Sequence, residues 1–262
     1  MAESGQPRRD DVVLGGQSSV PIGGVVLGGL EGVRRGLSSP IEAERLAALT
    51  AALQHGRRGL YLVVQALQDR SVAVREEAYQ LLHDRPEAIA QQAVQKFYTQ
   101  QHYGRLQSAL AGKRWKEADQ ETRIALFRAI GLDPFGEPAP NPYRITECPC
   151  RDLQIVDQLW VQYSRGRYGF SVQRSIWQPL HQLYWDKADV WAGFGDRVGW
   201  RSGLIFTDKH WKRYSEINFS HNAPPGHLPF LGDGFGIFTL ERLIDRLTKC
   251  DRERAEVESD GD

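Results

Sequence analysis

Surplus charge is the first thing this chain lacks. Across 262 residues, 33 Lys plus Arg are matched by 33 Asp plus Glu, for a formal net charge of zero. Without a cationic excess there is little long-range attraction to polyphosphate, which argues against a dedicated nucleic-acid binder. Long apolar runs are missing too. The longest uncharged apolar stretch, Val20–Leu30, is Gly-rich and falls short of the ~20 residues that a bilayer span needs, so no membrane span is expected. Cysteine is scarce. Cys148, Cys150 and Cys250 are too few for a disulfide framework, and Cys-Pro-Cys is not the CxxC of a redox or zinc site. The expectation is a reducing, cytoplasmic setting with inert thiols. The opening residues MAESGQPRRDD have neither an apolar core nor an acid-poor, Arg-rich character, so no targeting segment is read there.

Catalytic signatures are absent as well. There is no GxSxG, HExxH or P-loop, and no GxGxxG between a strand and a helix. GDGFG at Gly232–Gly236 lacks the Lys-Ser/Thr that would follow in a phosphate loop. His210, His221 and His227 share one stretch without metal-ligand spacing and read as satisfied or exposed histidines. Asp152 reads as a helix cap and Asp157 as a buried hydrogen-bond acceptor. A non-enzyme without a metal is the expectation.

What the chain does have is aromatic content: 7 Trp, 10 Phe and 9 Tyr against a single Met. Their distribution divides the sequence. Residues 1–38 are Gly- and Ser-rich, contain VVLGG twice (Val12–Gly16 and Val25–Gly29), and read as a flexible arm. From Ser39 the spacing changes. Leu46, Leu49 and Leu53, then Leu60, Val63 and Leu67, then Val74, Ala78 and Leu82 predict three short amphipathic helices, with Ser71 as an N-cap. LVVQALQDRSVAVREEAYQLL within this segment resembles a HEAT-like repeat through Asp69, Val74 and Arg75, which makes residues 39–95 a HEAT-like helical domain. A helix pair of that kind must dock on something. Pro86 ends the run, and a link is expected near Glu87–Gln101.

Nearly all the aromatics fall between residues 97 and 250. Helices are predicted over Tyr103–Ala111, Trp115–Ile130 and from Asp152 to Arg165, and again over Val172–Tyr184 with a break at Pro179. A final helix carries Leu240, Leu243, Ile244 and Leu247. Two long Pro/Gly-rich segments, Leu132–Pro149 and Ser215–Phe238, read as loops, and loops of this length in a compact domain are usually functional. The acidic last dozen residues, 251–262, read as a disordered charged tail. Both loops carry apolar residues: Leu132, Phe135, Tyr143 and Ile145 on the first, and Phe219, Leu228, Phe230, Leu231, Phe235 and Ile237 on the second. Two readings stand side by side. The side chains either cover one another in a core or cover a large, flat apolar ligand, which would gain about 2.5 kcal/mol per ~100 Å² removed from water. Arg144, Arg201, Lys212 and Arg213 could meet carboxylates on the rim of such a ligand.

Four motifs carry a specific resemblance: RWKEADQET at Arg114–Thr122, CRDLQIVDQLWVQYSRGRYGFSVQRSIW at Cys150–Trp177, VGWR at Val198–Arg201, and YSEINFSHNAPPGHLP at Tyr214–Pro229. In content, order and spacing they are similar to the GUN4 family over residues 96–250. Cyanobacterial members also tend to carry a HEAT-like N-terminal domain. The resemblance implies an all-α protein with a cupped hydrophobic cleft between two flexible loops. It implies non-covalent binding of protoporphyrin IX or magnesium protoporphyrin IX without catalysis. It also implies regulation of magnesium chelatase in chlorophyll biosynthesis by contact with the large porphyrin-binding subunit. The implied location is cytoplasmic, with peripheral association at the thylakoid membrane. The ligand-contact set drawn from motifs and loops is Tyr143, Ile145, Trp160, Tyr163, Phe170, Arg213, Tyr214, Asn218, Phe219, Leu228, Phe230, Leu231 and Phe235. After GHLP the chain runs Phe230–Phe238 without the arginines that the family pattern places there to hold the porphyrin. That departure leaves an alternative: a paralogue acting as a sensor or interaction module for haem, a bilin or no tetrapyrrole.

Overall fold

The computed structural model describes residues 29–136, 141–184, 186–203, 209–232 and 236–259. The described chain is predominantly α-helical, as expected. It divides into two compact units, one ending at Val94 and one beginning at Gln95.

The first unit contains α1 (Gly29–Leu37), α2 (Glu42–Leu53), α3 (Gly56–Ala66) and α4 (Val72–His83). The last three are the helices that the apolar spacing predicts. Helix α1 corrects the expectation of a flexible arm through residue 38. Its glycines do not break it because Gly32 and Val33 are buried, and because Gly36 faces Ala48, whose Cβ would lie 2.9 Å from any Cβ placed at residue 36. Glycine there permits close approach of two helices. The remainder of the arm, including the first VVLGG, lies outside the described residues. Leu49, Leu60, Val63, Val74, Ala78 and Leu82 form the buried interior. Ser71 caps α4, its hydroxyl accepting the Val74 N–H at 3.4 Å.

Polar order in this unit centres on Arg45 and Asp69. The Arg45 guanidinium donates to both Asp69 carboxylate oxygens at 3.0 and 3.2 Å, and the Ser71 N–H donates to the same carboxylate at 2.8 Å. Burial pushes the Asp69 pKa up, but the Ser71 N–H and the Arg45 guanidinium outweigh it and hold the carboxyl below its ordinary value.

The division between Val94 and Gln95 falls within the link expected near Glu87–Gln101, and the chain there is helical, as α5 (Ala88–Ala111). Residues 88–103 contain neither Gly nor Pro, and Ala90, Val94, Phe97 and Tyr103 are buried along the helix, so nothing stops it. The second unit continues with α6 (Trp115–Ala129), a 3-10 turn (Pro142–Glu147), α7 (Cys150–Ser164), α8 (Phe170–Trp177), α9 (Leu180–Leu183) and α10 (Lys187–Val198). A two-strand hairpin, β1 (Arg201–Ser202) with β2 (His210–Trp211), follows. A 3-10 turn (Tyr214–Glu216) and α11 (Gly236–Ser259) complete it. The strands are antiparallel, with Arg201 opposite Trp211. Pro179 separates α8 from α9 as the sequence suggests. Helix α10 went unread because Gly193 and Gly195 interrupt its pattern; Asp186 caps it by accepting the Ala188 N–H at 2.6 Å.

Two further expectations are corrected. The charged tail is not disordered over its described part, since α11 runs on to Ser259, supported by Arg174–Asp251 at 2.7 Å and Arg254–Asp251 at 3.1 Å. The thiols are not all free: Cys150 and Cys250 form a disulfide, with Cα atoms 5.3 Å apart. Cys148 remains a buried thiol, and burial, reinforced by the Asp152 carboxylate, pushes its pKa up to about 12. It is inert as a nucleophile.

The interior of the second unit consumes much of the aromatic surplus. Trp177 meets Phe194 edge-on at 5.4 Å, and Phe194 meets Trp200 at 5.5 Å. Trp115 stacks on Trp160 at 6.1 Å and meets Tyr168 edge-on at 5.4 Å. Such pairs add about 0.5–1.5 kcal/mol beyond the area they bury.

A candidate ligand site on the second loop

Residues 212–232, which follow β2, have little regular structure, yet their backbone is held at many points. His227 is buried and bonded on both ring nitrogens: Nδ1 faces the Val198 carbonyl at 2.5 Å, and Nε2 accepts the Asn218 N–H at 3.1 Å. That pairing places the proton on Nδ1 and keeps the ring neutral, and burial lowers its pKa accordingly. The Trp200 indole N–H donates to the His227 carbonyl at 2.8 Å. Gln173 spans the following turn, its side-chain amide donating to the carbonyls of Gly226 and Pro229 at 3.0 and 2.9 Å. Gly226 sits at φ +73°, and a Cβ there would lie 2.8 Å from the Ile176 side chain, so glycine is required twice over.

Asp119 closes the arrangement. It lies on α6 within the RWKEADQET motif, is 1% exposed, and accepts the N–H groups of Phe230 and Leu231 at 2.5 and 3.0 Å. Leu231 has φ +68°, an uncommon conformation for a bulky residue, and the carboxylate holds its amide there. Burial drives the Asp119 pKa up to about 6, against the opposing pull of the Leu231 and Phe230 amides and the Tyr214 hydroxyl.

This scaffolding leaves three aromatic side chains half-buried and adjacent. Tyr214 meets Phe219 edge-on at 5.2 Å and lies 6.1 Å from Phe230, which in turn meets Trp200 edge-on at 4.9 Å. The exposed Lys116, on the same helix as Asp119, brings its Nζ to 5.9 Å from the Tyr214 ring centroid and 6.0 Å from that of Phe219. The result is a three-ring apolar surface beside a cation, mounted on a strapped backbone.

Set against the expected contact set, the structure brings Tyr214, Phe219 and Phe230 together, with Asn218 and Arg213 exposed nearby in sequence. Trp160 and Phe170 are 0% exposed, and the Trp160 N–H is taken by Thr122 at 2.8 Å, so both belong to the core instead of facing a ligand. Leu228 and Leu231 are likewise buried under the loop that they anchor. Tyr163 is half-buried on α7 and its hydroxyl accepts from Gln107 at 3.1 Å. Phe235 and the side chains of Tyr143 and Ile145 lie outside the described residues. Among the expected cations, Arg144 is paired with Glu147 at 2.7 Å, Lys212 donates to the Gly199 carbonyl at 2.9 Å, and Arg201 lies 3.6 Å from Asp196. The two carboxylates of the central helix have structural duties. Asp152 accepts from the Tyr98 and Tyr103 hydroxyls at 2.9 and 2.6 Å and does not cap α7, which starts beyond Pro149; Asp157 accepts the Ser171 N–H at 2.8 Å. Sequence reading missed Lys116 and Asp119 as site residues. Their shared i, i+3 spacing on α6 is visible in the motif, but the loop that they serve lies more than 90 residues away.

A model of the GUN4-like family matches residues 96–246, a span that contains this entire surface. Among curated proteins, the ycf53 protein of Porphyra purpurea is 31% identical over 146 residues, 55% of this chain and 56% of its own. The Ycf53-like protein of Synechocystis is 26% identical over 217 residues, 77% of this chain and 88% of its own. A chloroplastic tetrapyrrole-binding protein of Arabidopsis thaliana is 35% identical over 130 residues, 47% of this chain and 46% of its own. The chain thus spans about half the length of the Porphyra and Arabidopsis relatives. Of solved structures, ligand-free GUN4 from Arabidopsis thaliana is 26% identical with a TM-score of 0.42, covering 54% of this chain and 91% of that one.

Proposed function

The chain belongs to the GUN4-like family, and on that premise we propose that it binds a tetrapyrrole non-covalently on the Tyr214–Phe219–Phe230 surface. The observation that supports this most is the ring cluster itself: three half-buried aromatics beside Lys116, on a backbone that Asp119, Gln173 and His227 hold in place. A planar macrocycle covers such a surface well, because removing apolar area from water contributes about 25 cal/mol per Å². Lys116, with no ion pair among the described residues, would meet a propionate at the rim in place of the arginines missing after GHLP. Protoporphyrin IX and its magnesium form are the proposed ligands. The proposed role is non-catalytic regulation of magnesium chelatase through its large porphyrin-binding subunit. The proposed location is cytoplasmic with peripheral thylakoid association; no helix among the described residues is long and apolar enough to cross a membrane. The first unit is proposed to be a HEAT-like interaction domain.

Titration with protoporphyrin IX and magnesium protoporphyrin IX tests the reading. Binding shifts the Soret band and quenches tryptophan fluorescence at micromolar ligand, Phe219→Ala weakens it about tenfold, and Lys116→Ala weakens a propionate-bearing ligand more than its diester. A flat titration with both porphyrins removes the proposal. Binding of haem or a bilin alone favours a sensor, and an unchanged chelatase rate in its presence separates a carrier from a regulator.

A further inference from the structure

The Cys150–Cys250 bond joins two elements that frame both long loops. Cys150 is the first residue of α7, directly after the proline-rich segment that ends at Pro149, and Cys250 lies on α11, which begins at Gly236 and takes in the last residues of the expected second loop. Helix α11 packs on the 3-10 turn at 142–147, on α7 and on α8. Around the bond, Arg246 donates to the Cys148 carbonyl at 3.1 Å and Arg174 pairs with Asp251 at 2.7 Å. The disulfide is the covalent member of a strap that these polar contacts and the buried α11 residues Leu240, Leu243, Ile244 and Leu247 also hold.

Its two sulfurs differ in access. Cys250 is 1% exposed, whereas Cys150 is half-buried at the edge of α7. One Glu253 carboxylate oxygen lies 3.3 Å from Cys150 Sγ, and its partner oxygen faces Arg246 and Lys249 at 3.9 and 3.8 Å. These cations offset the repulsion that Glu253 would otherwise present to an incoming thiolate, and the carboxylate is placed to accept a hydrogen bond from a Cys150 thiol.

We propose that Cys150–Cys250 is a thiol–disulfide exchange site for an external dithiol, and that its redox state sets how firmly α11 and the 142–147 turn hold the two loops. A thiolate of the dithiol attacks Cys150 Sγ; the S–S bond breaks, and Cys250 leaves with the electron pair and takes up a proton. The second thiol of the reagent, as its thiolate, then attacks the mixed disulfide and releases Cys150, which takes up a proton and donates a hydrogen bond to Glu253. Two electrons and two protons pass to the protein, and the dithiol becomes a disulfide. Any effect on porphyrin affinity rests on the proposed function, but the strap itself does not.

The test uses the full chain, air-oxidised or treated with dithiothreitol while folded. Alkylation after denaturation, read by mass, should find one free thiol in the oxidised protein, Cys148, and three after dithiothreitol. Amide exchange should quicken by about tenfold or more over residues 141–150 and 236–256 on reduction, and stay unchanged over residues 42–83. Cys148→Ser should keep the response, and Cys150→Ser should show the fast exchange in both conditions. Three labelled thiols in the oxidised protein, a bond that dithiothreitol leaves intact in the folded state, or equal exchange in both states overturns the proposal. Because exchange is read without ligand, a failed porphyrin titration leaves this result standing, and the reverse also holds.

Discussion

In the unit that ends at Val94, the buried charge is a pair: Arg45 and Asp69 face each other at 3.0 Å, between short aliphatic helices. In the unit that begins at Gln95, the buried carboxylates Asp119, Asp152 and Asp157 are answered by amide N–H and tyrosine O–H groups. The difference follows what each unit has to organise. Short connections between helices need little more than a cap and one cross-link. A long irregular segment has many backbone donors and few of its own acceptors, so a carboxylate on a neighbouring helix can fix two amides at once, as Asp119 does. Irregular backbone is thereby held in place by side chains, at the cost of burying charge.

The sharpest way to break the comparison is to remove an aromatic from the second unit's interior. Trp160→Ala should cost about 3–5 kcal/mol in urea denaturation. Trp160→Phe should fold and leave porphyrin affinity unchanged, and a loss of binding in that variant would make Trp160 a contact after all. Next in size is the disulfide: reduction should lower stability by about 2–4 kcal/mol, with the loss confined to the second unit in amide exchange. Arg45→Met strands a partly buried carboxylate and should cost about 2–3 kcal/mol, felt in residues 42–83; an equal loss in the second unit would end the contrast.

The smallest effect is the most diagnostic. The Asp119 pKa rises from 3.8 unfolded to about 6 folded, so the folded state holds the extra proton between these values and stability from this group falls as pH rises through that window. His227 has the opposite sign: its pKa is lowered from 6.5, so stability falls as pH drops below that value. Asp119→Asn should change stability at pH 7 by less than about 1 kcal/mol. It should also abolish the first dependence while leaving the second, as measured by denaturation between pH 4 and 7.

Helices were legible wherever an apolar stripe ran without interruption. Leu60, Val63 and Leu67, or Leu240, Leu243 and Leu247, reveal their faces at once, because the period is a local property. Helix α10 was hidden by Gly193 and Gly195, which serve tertiary packing and look like breaks. At the candidate site, Phe219 and Phe230 could be named from the second loop, and Tyr214 from the motif that leads into it. Their partners could not. Asp119 and Lys116 act on residues roughly a hundred positions away, and nothing in a local window tells a buried acceptor from a solvated acid. Trp160 and Phe170 show the same limit in reverse, since both rings match the family's motif yet are spent on the interior. Two of three cysteines became a cross-link because of where α7 and α11 meet, a fact that their count conceals.

That cross-link has one more consequence. Residues 150 and 250 close a covalent ring with a sequence separation of 100. The exposed turn at His221–Asn222 lies inside this ring, whereas Phe135, 71% exposed, lies outside it. A protease that cuts at the first place yields a nicked protein that migrates as one molecule until a reductant is added. A cut at the second separates everything upstream on a denaturing gel without any reductant. Gels run with and without reductant therefore read which of the two loops a protease reaches first.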